Sequence, residues 1–208
     1  MCGRFVLLTD LRLIMESFRV QHVACEYTPG HNISPGQDIA AVIHDDRNRL
    51  VLYRWGLIPS WSKDPSIGNR MFNARAETLT EKPSFKDAFQ KRRCLVVADG
   101  FYEWRKIDRI REPLRFSLKS GESFGLAGLY ETWISPERKP VHTCTIITTE
   151  PNELVRPIHD RMPVIVPKEL EAAWIDPDNH NQKELLSILK PYPADEMTMS
   201  RVDPGSLH

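Results

Sequence analysis

The chain is short of cysteine, has no net charge and contains no long apolar run. Each shortage removes a class of protein. Four cysteines in 208 residues (Cys2, Cys25, Cys94 and Cys144) form no C-x-x-C pair, so they read as reduced thiols rather than a disulfide scaffold. No stretch approaches the roughly 18–20 apolar residues of a membrane span. The first residues lack the basic-then-apolar order of a secretory leader, so the expected place of action is the cytoplasm and its nucleoid. Neither G-x-x-x-x-G-K-[ST] nor G-x-G-x-x-G occurs, which argues against a nucleotide cofactor. His22, Cys25 and His31 lie close in sequence without regular ligand spacing, so a loop is expected there and no metal or other cofactor.

The charge balance is even, 28 basic against 28 acidic residues, but its distribution is not. Residues 1–115 hold 19 Lys and Arg against 14 Asp and Glu, and residues 116–208 hold 9 against 14. That asymmetry fits a basic binding face, and also fits an ordinary solvated surface.

A hydrophobic fraction of 41 % supports a sizeable core, and the length fits one domain over 1–208. Sixteen prolines spread through the chain suit short strands and irregular loops. Apolar and alternating runs predict strands at Cys2–Leu7, Ile39–His44, Leu50–Trp55, Cys94–Ala98, Tyr102–Lys106, Leu114–Leu118, Phe124–Tyr130 and Val141–Thr148. "FSLKSGESFGLAGLY" reads as a hairpin turning at Ser120, Gly121 and Glu122. Helices are predicted after a Thr9 cap through Phe18, after a Ser84 cap, with Pro167 in the first turn of "KELEAAWI", and at Gln182–Leu189. Strands outnumber helices and lack regular crossovers. The expected fold is α+β, a mainly antiparallel, curled or barrel-like sheet with a few flanking helices. The chemistry-bearing segments fall within 1–166, ahead of a helical or extended tail over 167–208.

Cys2 directly follows Met1. A small residue there favours removal of the methionine, which would leave an amine and a thiol two carbons apart. The amine titrates near about 8 and the thiol near about 8.5 before any perturbation. Such a pair condenses with an aldehyde to an imine and closes to a thiazolidine, the second step being intramolecular. The alternative is a small buried hydrophobe beginning a strand. Three more segments carry polar groups among apolar neighbours. "MFNARAET" holds Asn73, Arg75 and Glu77; "ADGFYEWRK" sets Glu103 between two aromatics; "PIHDRMPVIV" sets His159 before an apolar run. A carboxyl like Glu103 suits general acid or base work when burial raises its pKa, and histidine titrates in the same range. A local Arg75–Glu77 ion pair, a strand-end salt bridge for Glu103 and a capped loop histidine stand as alternatives.

"MCGRF", "NISPGQ", "YRWGLIPSW", "NARAET", "VVADGFYEW" and "IHDRMPVIV" occur in that order over residues 1–166. The chain closely resembles the SOS response-associated peptidase, or abasic-site-processing, family. The resemblance implies covalent capture of abasic sites in single-stranded DNA. Cys2 would be the nucleophile and self-processing residue. Asn73 would position it, Glu103 would act as acid and base, and His159 would assist opening of the sugar. Arg4 and Arg75 would hold phosphates, Thr148 would line the pocket, and Trp61 would stack on a base or remain a core tryptophan. The implied partner is abasic single-stranded DNA, bound by a monomer without membrane contact. Two rivals stay open: a cysteine peptidase or N-terminal-nucleophile amidohydrolase with Asn73 at an oxyanion, and a non-covalent damaged-DNA binding module.

Overall fold

The computed structural model describes residues 2–108 and 110–207. In chain order the elements are β1 (Phe5–Leu7), α1 (Leu11–Ser17), β2 (His22–Val23), β3 (Gly30–Ile33), β4 (Asp38–His44), β5 (Asn48–Trp55), β6 (Asn73–Arg75), α2 (Pro83–Lys91), β7 (Arg93–Ala98), β8 (Gly100–Ile107), β9 (Ile110–Leu118), β10 (Phe124–Ile134), β11 (Pro140–Thr149), β12 (Met162–Pro163), α3 (Glu171–Ile175), α4 (Gln182–Ile188) and β13 (Met197–Arg201).

Five strands close on themselves. β11, β10, β7, β4 and β5 are neighbours in that order, and a parallel pairing of β5 with β11 completes the ring. β7 is buried at every residue, as expected of a strand flanked on both sides and covered on both faces. A second sheet runs β13–β9–β8–β1–β3. Its inward face carries Phe5, Phe101 and Phe116, with the last two rings stacked at 5.1 Å. Phe5 meets Trp55 of the barrel edge-on at 5.3 Å, an aromatic contact worth about 0.5–1.5 kcal/mol beyond its buried area. Most pairings are antiparallel, and the fold is the expected α+β one.

One edge of β11 is shared. β5 pairs with it at Thr143 and Cys144, and β6 takes over at Ile146–Thr148. The handover needs Gly56. Its φ is +142°, and a Cβ there would lie 2.6 Å from the Gly68 carbonyl oxygen.

Five local expectations are corrected. Leu118 and Phe124 do not face each other across a hairpin: β9 lies between β8 and β13, β10 between β7 and β11, and the turn through Gly121 carries the chain from one sheet to the other. Asp10, not Thr9, caps α1 by accepting from the Arg12 N–H at 2.8 Å, because the Thr9 hydroxyl donates to Asp99 instead. α2 starts at Pro83 with Lys82 in the cap position, so Ser84 is already inside the helix. Pro167 caps a short 3-10 turn, Lys168–Leu170, ahead of α3. Strand β1 is shorter than expected, although the Tyr102 N–H still reaches the Arg4 carbonyl at 2.9 Å.

Candidate active site

Polar groups from four segments meet near the seam between the second sheet and the barrel. The Cys2 side chain is fully buried, with Sγ 3.9 Å from the Arg4 carbonyl oxygen. Burial pushes its thiol far above the ordinary range, and the neighbouring Glu103 carboxylate pushes the same way. The thiol is therefore held as S–H, the unreactive form. With Met1 in the chain, the Cys2 nitrogen is an amide.

Strand alternation puts Glu103 on the inward face with Phe101, opposite Leu114 of β9. It is 4 % exposed. Burial raises its carboxyl to about 7, and the Asp160 charge adds to the rise. Such a group is divided between acid and conjugate base near neutrality. His159 follows the turn after β11. Its Nδ1 accepts from the Arg161 N–H at 3.0 Å and lies 3.0 Å from Asp160 Oδ1. Burial lowers its pKa, which favours the neutral imidazole at pH 7. His159, Asp160 and Arg156 line a surface depression of about 470 Å³. A larger cavity of about 760 Å³ contains none of these residues; the chemistry, not the volume, marks the site.

The register of β6 against β11 sets Asn73 beside Ile146. Asn73 Nδ2 donates to the Cys2 carbonyl at 2.8 Å. Its Oδ1 is buried and has no hydrogen-bond partner among the described residues, an acceptor left for a donor from outside. Thr148 is buried with Oγ1 3.4 Å from the Ala74 carbonyl, so its side chain holds β6 in register.

Three arginines are placed differently. Arg4 Nη1 donates to Asn32 Oδ1 at 2.7 Å, and the Asn32 amide N–H donates to the Leu207 carbonyl. Among the described residues no carboxylate pairs with Arg4. Arg75 is exposed at the end of β6. Glu77 does not pair with it: the Glu77 carboxylate takes two hydrogen bonds from Arg161, at 2.7 and 2.9 Å. Arg161 also donates to the Thr148 carbonyl at 2.6 Å, tying the His159 loop to β11. Trp61 is 62 % exposed on the β5–β6 connection, which removes the core-tryptophan alternative. Asn32, Asp160 and Arg161 were not singled out from sequence. Arg161 stands inside "IHDRMPVIV", but its partner lies 84 residues away and no spacing rule reaches it.

Among the described residues no group of three His, Cys, Asp or Glu side chains is arranged to hold a metal ion, and no helix is long and apolar enough to cross a membrane. The profile of the SOS response associated peptidase (SRAP) family matches residues 1–205. The chain belongs to that family. Among its SRAP relatives, abasic site processing protein YoqW of Bacillus subtilis is 50 % identical over 206 residues, covering 97 % of this chain and 92 % of that protein. Abasic site processing protein HMCES of Rattus norvegicus is 30 % identical, covering 86 % of this chain and 62 % of its own length. A crystal structure of a protein from Bacteroides thetaiotaomicron superposes with a TM-score of 0.89 at 26 % identity, covering 99 % of this chain and 98 % of that one. The barrel and second sheet are thus an SRAP fold.

Proposed function

We propose that this chain, once Met1 is removed, captures abasic sites in single-stranded DNA as a thiazolidine built on Cys2. The observation that carries the reading is the hydrogen bond from Asn73 to the Cys2 carbonyl, beside a buried carboxyl raised to about 7. Relatives named as abasic site processing proteins support the substrate class. Asn73 contacts the carbonyl of Cys2 itself, one peptide past the Met1–Cys2 bond. That suits holding Cys2 in place more than stabilising an oxyanion at the bond to be cut.

An abasic deoxyribose is mostly a closed hemiacetal. Opening moves a proton from the C1′ hydroxyl to O4′ and exposes an aldehyde; His159 and Glu103 are the groups to relay it. The Cys2 amine adds to C1′, water leaves with a proton from Glu103, and the Glu103 carboxylate takes the remaining proton from nitrogen, giving an imine. The thiol then adds to the C=N carbon while its proton passes to nitrogen. One aldehyde and one aminothiol become a thiazolidine and one water. Without the thiol step the imine invites β-elimination and strand cleavage, so ring closure protects the DNA. Arg4 and Arg75 would contact phosphates, giving salt-sensitive affinity without sequence preference. Trp61 is exposed for stacking on a base of a flexible strand.

The test is a denaturing gel after incubation with a single-stranded oligonucleotide carrying one abasic site. A shifted, heat-stable band is expected from the chain and none from Cys2→Ala. Cys2→Ser keeps the amine but not the thiol, and should convert stable adduct into strand cleavage. Cleavage of unrelated peptides with no shifted band would establish the peptidase reading instead.

A further inference from the structure

Beyond Glu103 the inward face of the second sheet runs out past the barrel and becomes exposed. β8 and β9 pair without irregularity to their tip, where Ile107 faces Ile110. Period-two alternation puts both isoleucines on the face that carries Glu103 and Leu114. Exposure along that face of β8 climbs from 4 % at Glu103 to 44 % at Ile107, and Ile110 is 70 % exposed. An apolar cross-strand pair is thus held in solvent about 13 Å along the strand from Glu103.

The charges around this pair are positive on balance: Arg105, Lys106, Arg111 and Arg201 outnumber Asp108 and Glu112. On the same face Arg105 and Arg201 both bind Glu112, Arg201 at 3.0 Å, so two guanidinium groups share one carboxylate. On the opposite face Lys106 lies directly across from Arg111. Like charges in that position destabilise a sheet, and among the described residues neither has an ion-pair partner. A polyanion with flat apolar rings satisfies both features: its phosphates relieve the cationic pairs, and a base covers the isoleucines.

We infer that the β8–β9 tip is a second contact for the DNA strand, a few nucleotides from the sugar bound at Cys2. The inference rests on the proposed function of that site and extends its footprint. It assigns the tip to nucleic acid and not to a second copy of the chain, whose identical basic tip would repel it.

The test compares long and short single-stranded oligonucleotides centred on a tetrahydrofuran abasic analogue, trimmed from one end or the other, by fluorescence anisotropy. Wild-type chain is expected to lose about fivefold or more in affinity when one particular end is trimmed. In Ile107→Thr/Ile110→Thr that length dependence should vanish, and Lys106→Ser/Arg111→Ser should flatten the salt dependence on the long strand only. Equal length dependence in wild type and both variants overturns the contact. A dimer-to-monomer shift of the isoleucine variant in size-exclusion chromatography, with its length dependence intact, overturns it in favour of self-association. Crosslinking of a true abasic site in the short strand separates this result from the reading it rests on: its absence in wild type overturns both, and its presence with unaltered length dependence overturns the tip alone.

Discussion

Both ends of β1 meet a buried carboxylate, and the two ends are built for different purposes. At the Leu7 end, Asp99 accepts from Leu8 N at 2.5 Å, Thr9 N at 2.9 Å and Thr9 Oγ1 at 2.7 Å. Every contact there joins the start of the α1 segment to the turn before β8. At the Cys2 end, Glu103 sits at a pKa of about 7, and Asn73 leaves a buried oxygen for a partner from outside. The Asp99 end clamps the fold; the Cys2 end is the one to which the proposed function assigns a reaction. Burial at the seam lets the Glu103 carboxyl take and release a proton near neutrality.

Substitution at each end should show opposite signatures. The largest stability loss is expected for Asp99→Ala, about 3 kcal/mol in chemical denaturation, since three donors lose one charged acceptor. Asn73→Ala should cost about 1 kcal/mol yet slow crosslinking about tenfold or more, because Cys2 loses the side-chain tether that holds it to β6. A large stability loss at Asn73 with an unaltered crosslinking rate would erase the contrast.

Glu103→Gln sharpens it through pH. The folded carboxyl is raised from 4.5 to about 7, so wild-type folding is least penalised below about 4.5 and loses stability as pH rises to about 7. In the Met1-bearing chain the Gln variant should therefore gain on wild type across that window, by roughly 1–3 kcal/mol at pH 8. A pH-independent difference in melting temperature would remove Glu103 as the titrating group. The smallest effect is expected at Asn32→Ala, which frees Arg4 without deleting its charge. Binding of single-stranded DNA should weaken roughly threefold, with a salt slope reduced by less than one. An unaltered salt slope in Arg4→Ala as well would place Arg4 outside the phosphate contacts.

Much of this was legible in the chain. Apolar and alternating runs located the seven long strands, and the three-residue β1, to within about four residues, because their inward side chains build one continuous core. The short strands β2, β3, β6, β12 and β13 were not, since two to five residues carry little periodic signal and their pairing is decided by neighbours. The turn at Gly121 looked like a hairpin because sequence shows two strands and a turn, not which sheets claim their edges. For the site, Cys2, Asn73, Glu103 and His159 stood out as reactive or titratable groups within compact motifs. Arg161 and Asn32 act through partners 84 and 28 residues distant, and such contacts exist only once the chain has folded.

The shared edge of β11 ties this chemistry to assembly. Asn73 reaches Cys2 only when β6 lies in its place beyond Gly56, on the strand that also completes the ring with β5. A slip by a single residue would swap amide for methyl. Under the proposed function, nascent or partly melted molecules would carry a thiol but no aligned trap, and competence would arrive together with closure.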